Sequence, residues 1–173
     1  MQKYNIIELN EKLLPELQSI AEELGIKKIS SLRKDELVYR ILGKAGKGAF
    51  INPPFYCDYG SHIEVGNNFF ANYNCTIIDV AKVIIGNNVL IAPNVAIYTA
   101  GHPIHPVSRN SAYEYGISVT IGNNVWIGGN TVICPGVHIG NNTVIGAGSV
   151  VTKHIPDNVI AYGNPCKVVG ENE

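Results

Sequence analysis

Six aliphatic residues stand at a strict interval of six: Ile121, Ile127, Ile133, Ile139, Ile145 and Val151. Four places after each of the first five comes Val125, Thr131, Val137, Thr143 or Ser149, all small or β-branched. An amphipathic helix repeats its apolar face about every 3.6 residues and a half-buried strand about every two, so neither explains the interval. A short repeat of this kind describes a stacked coil of strands.

The interval has an earlier section. Val65, Ala71 and Ile77 are six apart, and so are Ile85, Ile91 and Ile97; the step from Ile77 to Ile85 is eight, an insertion of two residues at Asp79–Lys82. Gly122-Asn123-Asn124 recurs eighteen residues later as Gly140-Asn141-Asn142, and Gly66-Asn67-Asn68 recurs twenty later as Gly86-Asn87-Asn88. Gly and Asn tolerate a left-handed backbone at little cost, so these tripeptides mark turns. Three hexapeptides then form one turn of a triangular prism, with one short strand per side and the aliphatic residue inside.

This pattern resembles the left-handed parallel β-helix of the hexapeptide-repeat acyltransferases. The expected fold is therefore mainly β, a left-handed parallel β-helix. Its left hand is implied by the resemblance alone, because parallel crossovers ordinarily favour the right hand.

The chain has 173 residues, enough for one domain with a small appendage. Only 16% of residues are charged. Flat-sided coils cannot cover their own sides and ends, so an oligomer is expected. A net charge of −1 offers no general attraction to nucleic acid or membrane. No apolar run reaches membrane-spanning length and no signal peptide is visible, which reads as a cytoplasmic protein. The four cysteines, Cys57, Cys75, Cys134 and Cys166, show no C-x-x-C spacing and read as reduced structural thiols.

Residues 1–47 differ in composition. They carry nine of the thirteen basic and seven of the fourteen acidic residues. Leu13, Leu14, Leu17, Ile20, Ala21 and Leu24 fall at helical spacing and Gly25 follows as a stop. Ser31 is placed to cap a second helix, with Leu37, Val38, Ile41 and Leu42 inward and Gly43 after it. The expectation is an N-terminal α-helical hairpin as a cap over 1–47 and a β-helix over 48–173. Leu14-Pro15-Glu16-Leu17, Ile20 to Ile26, Leu32 to Leu37 and Ile41-Leu42 resemble the N-terminal helical segment of transcription terminator Rho over residues 4–42. That segment belongs to an RNA-binding region in Rho. Here its acids interleave with its bases and form no stripe for phosphate, so nucleic acid is not the expected partner.

Between Ile97 and Ile121 the interval breaks, leaving an extended loop over 98–118 that contains His102, His105, Arg109 and Glu114. A long loop thrown from a regular coil is commonly functional. His102 follows directly on a coil strand, so rigid structure holds it, and an imidazole is suited to take a proton from a hydroxyl.

At this loop the resemblance becomes specific. Pro53 to Gly60, Asn68 to Asn74, Gly101-His102-Pro103, Glu114-Tyr115-Gly116, Asn124 to Gly128 and Gly163-Asn164-Pro165 together resemble the galactoside and maltose O-acetyltransferases over residues 43–170. The resemblance implies acetyl transfer from acetyl-CoA to a sugar hydroxyl by direct attack, in a homotrimer with sites between subunits. His102 would be the general base, and Glu114 would orient His102 or the acceptor. Asp58 and Asp79 would contact the acceptor. Asn72 and Trp126 would lie along the reacting end and pantetheine of CoA. Gly129 and Ala147 would let the pantetheine arm approach the backbone, and Thr152, Lys153 and Lys167 would meet the nucleotide end.

Two departures from the family stand out. Relatives begin with a different helical cap that supplies an acceptor-binding aspartate, and nothing in residues 1–47 matches it. Little sequence follows Val169 to close the last coil. The rival enzymatic reading is an antibiotic (xenobiotic) O-acetyltransferase using the same histidine. A zinc-dependent reading on the same coil would need three histidine ligands. His62, His102, His105, His138 and His154 do not supply that spacing, so no metal is expected. The rival of another class is an RNA-binding or scaffolding fusion acting through residues 4–42.

Overall fold

The computed structural model describes residues 9, 11–23, 25–26, 29–31, 34 and 44–172. Within them the chain is mainly β, a three-sided parallel coil preceded by one helix. The first face stacks Lys44–Ala45, Ile63–Val65, Val83–Ile85, Val119–Ile121 and His138–Ile139. The second stacks Phe50–Ile51, Phe70–Ala71, Leu90–Ile91, Trp126–Ile127, Val144–Ile145 and Val159–Tyr162. The third stacks Phe55–Cys57, Cys75–Ile78, Ala96–Tyr98, Val132–Ile133 and Val150–Val151.

The six-residue interval becomes vertical registration. Ile121 sits over Ile85 and Ile139 over Ile121 on the first face. Ile91, Ile127 and Ile145 are aligned on the second, and Ile97, Ile133 and Val151 on the third. All of these are at most 2% exposed, as are Val125 and Val137 at the intervening positions. Each such aliphatic side chain contributes about 1.5–3 kcal/mol by leaving water. The other intervening positions hold Thr131, Thr143 and Ser149, and each buried hydroxyl donates to a carbonyl, of Gly128, Pro156 and Gly146 respectively.

The coil extends further toward the N-terminus than its aliphatic residues indicate. Lys44 and Ala45 pair with Glu64 and Val65, Ile51 with Ala71, and Cys57 with Ile77. Ala45, Ile51 and Cys57 keep the interval of six, but two of them are small. The strand Lys44–Ala45 also lies ahead of residue 48.

At the corner between the first and second faces the Gly-Asn-Asn tripeptides divide the work differently from expectation. The second asparagine takes the left-handed backbone: Asn68, Asn88, Asn124 and Asn142 have φ of 55, 55, 56 and 53°. The glycine is needed for space. A Cβ on Gly86 would stand 2.7 Å from the carbonyl carbon of Gly122 in the next turn, and one on Gly66 would stand 2.6 Å from that of Gly86. The asparagine side chains form ladders. The Oδ1 of Asn67, Asn87, Asn123 and Asn141 each accepts a backbone N–H from the turn before, of Lys47, Asn67, Asn87 and Asn123. Alongside, the Nδ2 of Asn68, Asn88, Asn124 and Asn142 donates in series to the next Oδ1, ending at Asn158.

The last turn is closed. After Gly163-Asn164-Pro165 the strand Lys167–Glu171 runs antiparallel against Val159–Tyr162, so the short C-terminal remainder does cover the final coil on its second face. At the other end a helix spans Leu14–Glu23, with Leu17, Ile20 and Ala21 buried and Leu13 and Leu14 exposed. Glu16 accepts the Leu13 N–H at its start. Gly25, at φ +71°, ends it with N–H bonds from Gly25 to Glu22 and from Ile26 to Ala21. A 3-10 turn follows at Ile29–Ser31. The expected second helix, with Leu37, Val38, Ile41 and Leu42, lies outside the described residues.

Replacing Gly86 with Ala should lower unfolding free energy by about 1–3 kcal/mol, because backbone above it must shift. Gly170→Ala, which meets nothing within 4 Å, is the control and should change stability by under about 0.5 kcal/mol. Urea unfolding of both variants measures the difference.

Candidate active site

The loop over 98–118 leaves the coil at the corner between the third and first faces. Its neck is a two-residue antiparallel ladder, Ala100 opposite Gly116 and Gly101 opposite Tyr115. Continuing that register by one step sets His102 opposite Glu114. Gly101 is required by its partner: a Cβ there would lie 2.6 Å from the Tyr115 ring. The outer part of the loop contains a short helix, Pro106–Asn110, started by Pro106 and not anticipated from the sequence. Arg109 ties that helix back by donating to the Ile104 carbonyl at 3.0 Å.

His102 is half exposed, and its Nδ1 lies 3.1 Å from the Tyr113 carbonyl oxygen. A carbonyl only accepts, so Nδ1 carries the proton in that bond. In the neutral ring the lone pair is then on Nε2, which is 3.8 Å from Glu114 Oε1. The orienting group is thus a backbone carbonyl, while Glu114 stands at the nitrogen that keeps the lone pair. The arrangement suits an imidazole that accepts a proton on Nε2 beside a carboxylate that stabilises the resulting charge.

The two proposed acceptor residues part company. Asp58 is exposed at the same corner, one turn below the insertion that bears Asp79. Desolvation, then the charges of Asp79 and Glu114, raise its carboxyl above the usual aspartate value. Asp79 is fully buried. Its Oδ1 accepts the N–H of Asp58 and of Tyr59, each at 3.0 Å, and its Oδ2 accepts that of His62 at 3.3 Å. That carboxylate faces the preceding turn and is consumed by backbone donors; it is not presented to a ligand.

The residues expected to meet CoA fall in several places. Asn72, Gly129 and Ala147 lie at the corner between the second and third faces, Gly129 two levels beyond Asn72 and Ala147 one level beyond Gly129. Asn72 Oδ1 accepts the Tyr73 N–H at 2.8 Å. A Cβ on Gly129 would meet the Pro93 carbonyl oxygen at 3.1 Å, and neighbouring Gly128 has no room for one beside Ala147. Trp126 points outward from the second face, 54% exposed, as its place before Ile127 requires. Lys167, also exposed, opens the closing strand on that face. Thr152 and Lys153 sit at the other corner, above His102, where they line a shallow groove of ≈ 460 Å³ with Pro135, Gly136, Val137 and His154. One copy of the chain therefore splits these residues between two corners separated by the third face.

Two contributors were not read from the sequence. One is the Tyr113 carbonyl, which carries no side-chain signal. The other is buried Thr99, whose place two residues beyond Ile97 was the only available hint.

Comparison with known proteins gives a consistent picture. The family model "Bacterial transferase hexapeptide (six repeats)" matches residues 118–153, and the model for the N-terminal domain of Rho termination factor matches residues 8–48. A galactoside O-acetyltransferase of Escherichia coli is 52% identical over 139 residues, 80% of this chain and 68% of that protein. The crystal structure of a maltose O-acetyltransferase from Clostridium difficile superposes with a TM-score of 0.81 at 48% identity, covering 95% of this chain and 90% of the other. A galactoside acetyltransferase in complex with coenzyme A superposes with a TM-score of 0.79 at 47% identity, over 92% and 82%.

Two cysteines of the third face, Cys57 and Cys75, are held in the thiol form. Burial, followed by the charges of Asp79 and Asp58, pushes the Cys57 thiol up to about 12, and burial alone does the same for Cys75. The thiolate is the reactive form, so iodoacetamide at neutral pH should label neither until the protein unfolds. Counting adducts by mass spectrometry with and without denaturant checks this.

Proposed function

The chain belongs to the hexapeptide-repeat family of maltose and galactoside O-acetyltransferases, and on that premise we propose that it transfers acetyl from acetyl-CoA to a sugar hydroxyl. The observation that carries the reading is the orientation of His102, with Nδ1–H held by the Tyr113 carbonyl and Nε2 free beside Glu114. His102 Nε2 takes the proton of the acceptor hydroxyl as its oxygen attacks the thioester carbon. When the carbon–sulfur bond breaks, the CoA thiolate recovers that proton from the imidazolium. Glu114 stabilises the imidazolium between the two steps. Asp58 binds the acceptor.

The small residues Gly129 and Ala147 leave the corner above Asn72 open to a pantetheine arm, with Trp126 beside it. Thr152, Lys153 and Lys167 meet the phosphates. These residues sit at different corners of one coil, which supports a homotrimer in which neighbouring copies set one corner against the other. We assign the chemistry to the coil, which begins at Lys44, and treat the residues before it as an appended module, in a protein of the cytoplasm.

The test is a panel of galactosides, maltose and other sugars incubated with acetyl-CoA, following release of free thiol. His102→Ala should lower kcat by about 10²–10⁴-fold, and retention of full turnover would overturn the assignment. Light scattering after gel filtration should give three times the 18.7 kDa chain mass. A fully active monomer would contradict sites between subunits.

A further inference from the structure

The corner that carries His102 holds two polar side chains with no exposure at all, Asp79 and Thr99. The proposed chemistry uses neither. Both sit where the chain departs from its plain turn. Asp79 opens the second two-residue insertion, and Thr99 lies at the root of the long loop.

Their bonds run in series through three successive turns. Asp79 accepts the N–H groups of Asp58, Tyr59 and His62 in the turn below. Its carbonyl receives the Nδ1–H of His62 at 2.7 Å. The Thr99 hydroxyl donates to the Ile78 carbonyl at 2.7 Å and accepts the Ala81 N–H at 2.8 Å, gripping the Asp79 insertion from above. The Thr99 carbonyl then accepts the Ile117 N–H at 2.8 Å, where the far side of the loop rejoins the coil. Inserted residues have no partners in the ladder of a regular coil, so these side chains replace the missing backbone bonds. A buried carboxylate is stable only while its donors stay in place, which couples the 58–62 segment to Asp79.

We infer that Asp79 and Thr99 are positioning residues for the acceptor half of the site, fixing Asp58 and the neck of the His102 loop relative to each other. The inference rests on the acetyl-transfer reading above. Neither residue bonds to Asn72, Gly129 or Ala147 at the other corner, nor to Thr152 and Lys153 two turns further along their own, so their loss should be felt by the acceptor and not by CoA.

The test uses the full chain and its best acceptor from the sugar panel. Thr99→Val and Asp79→Asn should each lower acceptor kcat/KM about tenfold or more, while KM for acetyl-CoA stays within about twofold. Thr99→Ser, which keeps the hydroxyl, should remain within about threefold of the parent. In an Asp58→Asn background, Asp79→Asn should cost under about threefold more, because it acts through Asp58. Equal losses for both substrates, unchanged acceptor kinetics, a Ser variant as poor as the Val variant, or additive Asp58 and Asp79 effects would each overturn the inference. Should Asp79→Asn lose its thermal transition, the Thr99 pair decides. Unchanged variants of an active parent would sink this inference alone. A parent that acetylates no sugar would sink the acetyl-transfer reading first.

Discussion

Turn-on-turn hydrogen bonding is the constraint on which the rest of this molecule depends. Each strand bonds in parallel register to the one above and below it, so any residue added to a turn must leave the coil at a corner or break the stack. The chain adds residues three times: twice by two, ahead of His62 and of Val83, and once by eighteen, between Tyr98 and Val119. All three additions exit at the corner between the third and first faces. Asp58, Asp79, Thr99, His102 and Glu114 are gathered there because the other two corners keep the same short turn throughout the stack.

Much of this was legible in the sequence. The aliphatic interval identified the inward positions, and its break identified the loop with His102 and Glu114. The first turn was hidden because Ala45 and Cys57 fill its inward positions. Their spacing is right, but small residues do not stand out as an apolar signal. The glycines of the Gly-Asn-Asn tripeptides were misread for a related reason. Sequence shows a residue that permits unusual backbone angles, and only the neighbouring turn shows that the missing side chain is what counts.

The site was harder to read than the coil. A carboxylate in a sequence looks the same whether it faces a ligand or is filled by backbone N–H groups, and Asp79 belongs to the second case. The group that sets the tautomer of His102 is a carbonyl, present at every residue and marked at none. Residues placed together by family resemblance also proved to lie on separate corners. Spacing along the chain gives the level of a residue in the stack, and it is the position within the turn that decides which side it faces.

The asparagine ladders bear on how this protein meets a change of pH. They run along the corner between the first and second faces, away from the loop, and tie most turns of the coil together, with Asp157 the one carboxylate along their length. Carboxamides have no proton to gain or lose across the range in which imidazoles titrate. These side-chain bonds therefore hold across that range, and the spine they form does not depend on the acidity of its surroundings except at Asp157, where it ends.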